Sequence, residues 1–495
     1  MSPYGSKRVR RSATPVRPSA VLLLAATAAV LAACSDNTPS GPGTAPLIGA
    51  ATVSMPDSAG PVIVISVATP HADSARIVAG SVPVGFHVTT DYVPVANDSA
   101  RLVLAGLRPG VKYLWHVQAL GSGGTRSGPS LTLTADSLPA AIRSAKIVTT
   151  AGQSPTVPYI ATELSVDSTK YEVIFDSTGT LVWFRVMARP SSDGDFEMQP
   201  TGVFTAFDGT TFGWQAVQGT WLAFGLDGVA RKTWTAPPGS FTDQHEFRMR
   251  VEGGDTVAYF PVYTIVPIDM TAHCGTSGQP TASHTIVRAD AGGLHTIFDA
   301  QSRFTIADWV SPPLCQLGDF DHPNAFDFDG DNTLIVSWRN LGAITAIDLA
   351  SGRVLWQLGG TQATLALSGD SLGGTGGQHS VRVTEPGTVL IYDNGTNHMP
   401  PQSRMVEYAI DTSARVARLT RQYLHPAGGL YTTFMGSVSP LANGGVLIGW
   451  SSAATITEID ANSNLVWEGV LQLDGQSQAF YRALPIGSLY HYRQP

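Results

Sequence analysis

Apolar and polar positions alternate with a period of two through most of the chain, in short runs bounded by Gly, Pro, Asn or Asp. "TLIVSW", "AITAID", "VLIGW" and "TITEID" are of this kind, rich in Val, Ile, Thr and Trp. Such runs predict β-strands joined by tight turns. No apolar stretch beyond the N-terminus reaches the eighteen or so residues that a membrane-crossing helix requires. The expected fold class is all-β.

From 46 to 138 the strands are short and alternating. "LRPGVKYLWHVQA" sets Leu107, Pro109, Gly110 and Tyr113 ahead of a long alternating strand. This resembles the end of a fibronectin type III β-sandwich, in which a tyrosine pins a corner between sheets. From 139 to 495 a unit repeats: strand, Gly-containing turn, apolar strand, "I-x-x-I-D", short turn, aromatic strand. Its clearest copy is "HPNAFDFDGDNTLIVSWRNLGAITAIDLASGRVLWQLGG"; others start at "QHSVRV", "GSVSPL" and "HEFRMR", and two fainter ones near Pro155 and Gln199. Four-strand units repeated radially make a β-propeller. Six copies predict six blades, with seven as the alternative. The expected architecture is therefore a fibronectin type III-like sandwich followed by a six-bladed β-propeller.

The N-terminus adds a targeting segment. Lys7, Arg8, Arg10, Arg11 and Arg17 precede an apolar run that ends in Leu31-Ala32-Ala33-Cys34. The pattern predicts a lipoprotein signal peptide over 1–33, with Cys34 lipidated after cleavage. Residues 34–45, "CSDNTPSGPGTA", read as a flexible tether. The protein is thus expected to be exported and lipid-anchored in the bacterial cell envelope. Loss of the leader leaves 25 Lys and Arg against 38 Asp and Glu, a net charge of −13 in place of −8. An acidic chain argues against nucleic-acid partners, which need a basic surface. Cys274 and Cys315 then remain, and an oxidising compartment would let them form a structural disulfide.

Histidines fall in register with the repeat. His322, His379 and Ser437 are 57 and 58 positions apart, and His245 lies 77 before His322, in a repeat lengthened by an insertion that holds Cys274. The midpoint of His322 and Arg339 falls inside "DGDN", a strong turn signal. A hairpin about that turn carries both residues to one rim. The same arithmetic matches His245 with Val262 and Tyr263, His379 with Asp393 and Asn394, and Ser437 with Ser451 and Ser452. Equivalent positions around a pseudo-symmetry axis converge, so three histidines and an arginine are expected at one channel mouth. His284, His295 and His398 show no such register and read as structural or surface residues. Asp327, Asp329 and Asp331 alternate as in a calcium loop, but no glutamate follows at the EF-hand spacing.

A guanidinium offers a fork of donors to phosphate or sulfate oxygens. An imidazole serves as nucleophile or as general base near neutral pH. No Gly-rich phosphate loop opens a helix, so no nucleotide cofactor is indicated; neither metal nor other cofactor is expected. "DHPNAFDFDGDNTLIVSWRN", "QLGG", "QHSVRV", "YDNG" and the terminal "YRALPIGSLY" together resemble the bacterial aryl-sulfate sulfotransferase family. The resemblance covers the chain from about Ser144 onward. It implies transfer of a sulfuryl group from a phenolic sulfate ester to a phenol through a sulfated histidine, without a nucleotide sulfate donor. By the same resemblance His379 is the nucleophile, His322 the acid–base and hydrogen-bonding histidine, Arg339 the clamp on the sulfuryl oxygens and His245 the third histidine. Asn324, Asn394 and Ser437 are expected to contact substrate. Three other readings compete: a non-catalytic binding lipoprotein, a metal-dependent lyase or hydrolase, and, more distantly, a quinone-dependent dehydrogenase.

Overall fold

In the computed structural model of the protein, residues 44–490 are described apart from positions 84, 86, 188–193, 212–216, 274, 311–317, 427 and 428. Cys34, Cys274, Cys315, the leader 1–33 and the tether as far as position 43 lie outside the described residues. Among the described residues the regular elements are strands, and the helical pieces are three-residue 3-10 turns such as Ala140–Ile142. The chain is all-β.

Two sheets make up the first part. One holds Ala51–Ser54, Ile63–Ala68 and Ser99–Leu104; the other is built around Ser74–Val82 and Lys112–Gly121. Alternation along Lys112–Gly121 turns Tyr113, Trp115 and Val117 inward and leaves Lys112 and Leu114 in water. The inward set packs on Ile63, Ile65, Val67 and Leu102. The Tyr113 hydroxyl accepts the Arg108 backbone N–H at 2.9 Å, closing a corner that Gly110 makes possible with its φ of +72°.

Six sheets follow, antiparallel apart from the short parallel pairing of Ala366–Ser368 with Val416–Leu424 in the fifth, and numbered here one to six along the chain. Their leading strands are Tyr159–Val166, Phe196–Met198, Arg248–Glu252, Pro323–Asp329, His379–Glu385 and Ser437–Pro440. They stand where the six sequence repeats begin. Sheet three is the longest: Asp255–Ile268 and Gln279–Asp290 form an extended hairpin, which is the insertion seen in the sequence.

Strand pairing interlocks the two ends of this part. Lys146–Ala151, from upstream of sheet one, completes sheet six beside Leu465–Leu473, and Leu484–Ile486, from downstream of sheet six, completes sheet one beside Tyr159–Val166. The apolar cores follow the same cycle. Each consecutive pair of sheets shares one cluster, from Trp183 with Phe204 between sheets one and two, to Tyr392 with Trp450 between five and six. The sixth cluster joins sheet six to sheet one through Leu447, Trp467, Ile160 and Val173. Both faces of a middle strand are therefore covered: all six residues of Thr388–Asp393 are buried. Each large apolar side chain so enclosed stabilises the fold by about 1.5–3 kcal/mol.

Candidate active site

The hairpin of sheet four places the first pair. Asp329 pairs with Thr333 around Gly330, and the ladder runs back to Pro323 opposite Trp338. One step further, the Arg339 backbone N–H donates to the His322 carbonyl at 3.0 Å. His322 has a φ of +52°, a left-handed conformation that costs a non-glycine residue free energy and turns its ring out of the strand. Asp321 and Asp319 hold it there: the Asp321 carboxylate accepts the His322 backbone N–H at 2.9 Å, and the Asp319 carboxylate binds the ring Nδ1.

His379 opens sheet five. Its backbone pairs with Tyr392, one residue short of the expected Asp393 and Asn394, because the strand bulges at Ser380, whose φ is +49°. The Asn394 side chain closes the gap, its Oδ1 accepting from His379 Nδ1 at 2.7 Å. Asn394 is itself fixed, its amide donating to the carbonyls of Thr432 at 2.8 Å and Met435 at 3.0 Å. This network assigns the ring proton to Nδ1. Nε2 then carries the lone pair, which accepts the Met435 N–H at 3.2 Å.

His245 comes from an irregularity in sheet three. Thr242 pairs with Val262 and Arg248 with Tyr259, so the residues between 242 and 248 loop out of the ladder. The expected pairing of His245 with Val262 and Tyr263 is corrected accordingly: Thr242 and Phe241 take those partners. The loop carries the His245 ring to 4.4 Å from that of His322, centroid to centroid, and His322 lies 6.5 Å from His379. Three sheets thus deliver three imidazoles in a row.

The three expected substrate contacts are engaged within the protein. Asn394 orients His379. Ser437 pairs with Gly449, not with Ser451 and Ser452, and its hydroxyl donates to the Ala483 carbonyl at 3.2 Å and accepts the Ala483 N–H at 3.1 Å. Asn324 donates to the Gln378 carbonyl at 2.8 Å, tying sheet four to the residue before His379. Two of the three aspartates of "DFDGDN" are likewise used between sheets: Asp327 accepts the Val383 N–H at 2.9 Å and Asp329 the Gly387 N–H at 3.1 Å.

Behind the imidazoles lies a layer that the repeat register does not reveal. Both oxygens of Asp243 are 3.0 Å from His245 Nδ1, and Oδ2 is 3.3 Å from Nε2 of buried His284. The other ring nitrogen of His284 bonds Asp321. Burial opposes the His284 cation, but the Asp321 and Asp243 carboxylates outweigh it and raise its pKa well above the usual histidine range. One imidazolium therefore bridges the two carboxylates that hold His245 and His322. The available signal was the acid placed directly before or two before each histidine, in "DQH" and "DFDH".

Below this layer three acids and three arginines fill the space between the leading strands. Arg482 Nη1 lies 3.1 Å from both Asp195 and Glu246, Arg382 is 3.0 Å from Glu246, and Arg248 is 2.7 Å from Glu197. Burial, with Glu197 and Glu246 nearby, pushes the Asp195 carboxyl up to about 7 against the pull of Arg482. Two groups among the described residues have metal-ligand geometry, His284/Asp319/Asp321 and Asp195/Glu197/Glu246. In the first, His284 is already bonded to Asp321 and Asp319 to His322; the second faces three guanidinium groups.

Burial, then the Arg339 guanidinium and the neighbouring His322 and His245, drive the His379 pKa well below the ordinary range, with Asn394 pulling the other way. Burial also lowers that of His322, with Asp319 opposing and His245 and Arg339 assisting. The neutral form of His379 is thus the resting form. Arg339 is mostly buried, with Nη1 donating to Asn340 at 2.8 Å and Nη2 pointing to the Thr433 carbonyl at 3.4 Å.

Three sheets of an all-β chain thus bring three imidazoles together, with the guanidinium of Arg339 arriving on the same hairpin as His322. Residues 235–472 match the family described as Arylsulfotransferase (ASST), and this span holds His245, His322, Arg339 and His379. No curated protein matches the chain. Among solved structures, a protein of unknown function from Bacteroides caccae is 13% identical, covers 67% of this chain and 100% of its own, and has a TM-score of 0.41. Streptogramin B lyase is 12% identical over 67% of this chain and 89% of its own, with a TM-score of 0.35. TolB from Acinetobacter baumannii is 8% identical over 76% and 80%, with a TM-score of 0.34.

Proposed function

We propose that the protein is an aryl-sulfate sulfotransferase that works by ping-pong transfer through His379, on a six-bladed β-propeller preceded by a fibronectin type III-like sandwich. The cyclic order of the six cores and the interlocked end strands support the propeller. The observation that carries the function is the His379–Asn394 clamp, which offers a neutral Nε2 lone pair beside Arg339 and His322, within the span that matches the family.

In the first half-reaction His379 Nε2 attacks the sulfur of an aryl sulfate. The N–S bond forms, the aryl O–S bond breaks, and its electron pair leaves on the phenolic oxygen. Arg339 binds the sulfuryl oxygens as charge builds on them. The bound sulfate anion favours protonation of His322, which passes that proton to the leaving oxygen. In the second half neutral His322 takes the proton of an acceptor phenol, whose oxygen attacks sulfur; the N–S pair returns to His379. The carboxylate behind each acid–base ring keeps its Nδ1 proton in place and its Nε2 toward the substrate.

The test is release of a coloured phenolate from a chromogenic aryl sulfate, with and without excess phenol, and detection of the sulfated acceptor by mass spectrometry. Acceptor-dependent release with stoichiometric sulfation supports the reading. Release indifferent to acceptor makes the protein a sulfatase, and no release with a panel of donors leaves a binding lipoprotein. Lipid anchoring at Cys34 in the cell envelope belongs to the same proposal, and is checked by incorporation of labelled palmitate that Cys34→Ala abolishes.

The pH profile follows from the depressed imidazole pKa values. With 4-nitrophenyl sulfate, whose leaving group needs no proton, kcat/KM stays level as pH falls from about 8 through about 6.5, the ordinary histidine value, and drops only below it. An acid limb centred on the ordinary value in initial-rate data would contradict a nucleophile held neutral by burial and Arg339.

A further inference from the structure

A cleft of about 530 Å³ lies between sheets four and five, with Arg339 in its lining. Arg339 and Gly377 stand at its inner end, and the Gly377 carbonyl lies 3.1 Å from His379 Nδ1, on the side of the ring away from Nε2. Leu358 and Tyr408 line its body, and Val310 and Leu367 form its lips. Among the described residues that line it, Arg339 is the one charged side chain. Val310 is 48% exposed and Leu367 37%, so both lips present apolar surface.

Seven of the lining residues are glycines, and their backbone makes the walls. At Gly376 a Cβ would fall 1.8 Å from Asn397 Oδ1, and at Gly377 2.8 Å from Thr396 Oγ1, so both positions are closed to side chains. Bare peptide planes present flat faces, which suit a planar ring better than a branched one. Tyr408 cannot swing away, because its hydroxyl is bonded to Asp370. Ligand pockets of roughly 300–1,000 Å³ hold molecules of drug size, well beyond a single phenyl ring.

We propose that this cleft binds the uncharged, multi-ring body of a flat phenolic substrate, with its phenolic or sulfated oxygen directed inward to Arg339. The proposal rests on the sulfotransferase reading for the chemistry at the inner end. Donor and acceptor occupy the cleft in turn, as the ping-pong sequence requires, and its size selects fused or linked ring systems over single rings.

The experiment uses the full chain and two variants that narrow the cleft without touching the catalytic groups, Leu367→Trp and Thr375→Trp. Turnover is compared for 4-nitrophenyl sulfate, with one ring, and 4-methylumbelliferyl sulfate, with two fused rings. Binding of free 4-methylumbelliferone is followed separately by fluorescence. The wild-type protein is expected to favour the fused-ring ester, and each variant to lower kcat/KM for it about tenfold, mainly through KM, with the one-ring ester changed less than about twofold. Probe binding weakens in parallel. A wild-type protein that transfers sulfate while both variants leave the two esters and the probe unaffected would overturn the cleft and spare the sulfotransferase reading. An inactive wild-type protein that binds the probe, and loses it in Leu367→Trp, would overturn the sulfotransferase reading and keep the cleft.

Discussion

His379→Ala is expected to lower sulfuryl transfer by a factor on the order of 10⁴ or more, the scale on which loss of a covalent nucleophile acts. No neighbour takes over readily. Nδ1 of both His322 and His245 is bonded to a carboxylate, which suits them to proton transfer, whereas His379 is held by a neutral amide and faces the Met435 N–H. The substitution also strips Asn394 Oδ1 of its donor inside the protein, at a cost of about 1–3 kcal/mol. A thermal melt must therefore accompany the kinetics. His379→Gly with added imidazole separates the two effects: free imidazole entering the vacated space accepts the sulfuryl group and restores phenolate release in proportion to its concentration. Persistence of wild-type rates in the alanine variant would place the nucleophile on another side chain.

The groups that make this site were legible to different depths. His322 and Arg339 were placed by arithmetic alone, because "DGDN" fixes a tight turn and the ladder between it and Pro323 slips by a single residue. His379 and His245 were also found, but their partners were displaced, since bulges are set by the packing of several sheets and leave no mark in the alternation. Asn394 was expected to contact substrate, and its side chain is bonded to His379 Nδ1 and to the Thr432 and Met435 carbonyls, the partners a buried amide finds within the protein. His284 escaped because it sits in the second half of its repeat, out of register with the other histidines, and its importance comes from Asp243 and Asp321 arriving from elsewhere. Arg248, Arg382 and Arg482 carry no motif that marks them in the sequence. Only the meeting of the leading strands with the terminal segment buries them against Asp195, Glu197 and Glu246.

Arg404→Met is expected to lower global stability by about 3–5 kcal/mol, the range for removing one partner of a buried ion pair. The Arg404 side chain is fully enclosed, with Nη1 and Nη2 at 2.9 and 2.8 Å from the two oxygens of Asp370, Nε at 2.9 Å from Asp393 and Nη2 at 2.9 Å from the Gly374 carbonyl. Without the guanidinium both carboxylates are left buried with their main cation gone. Asp393 also accepts the Gly376 and Gly395 N–H groups at 2.9 Å, so the glycine wall of the cleft and the loop leading into His379 depend on the same cluster. Arg404→Lys should recover only part of the loss, because one ammonium cannot span Asp370, Asp393 and Gly374 together. Acid supplies a second check. Burial opposes the Asp370 anion, but Arg404, the Tyr408 hydroxyl and the Leu372 N–H outweigh it and bring its pKa to about 2. A folded-state pKa below the unfolded value of about 3.9 contributes stability that is complete above that value and lost as pH falls through the folded one. The Arg404 part of that contribution is missing in the methionine variant. Urea midpoints of wild type and variant should therefore stand furthest apart near neutral pH and draw together as pH falls from about 4 toward about 2. A gap that stays constant over that window would mean that Arg404 acts by filling space and not through the charge of Asp370.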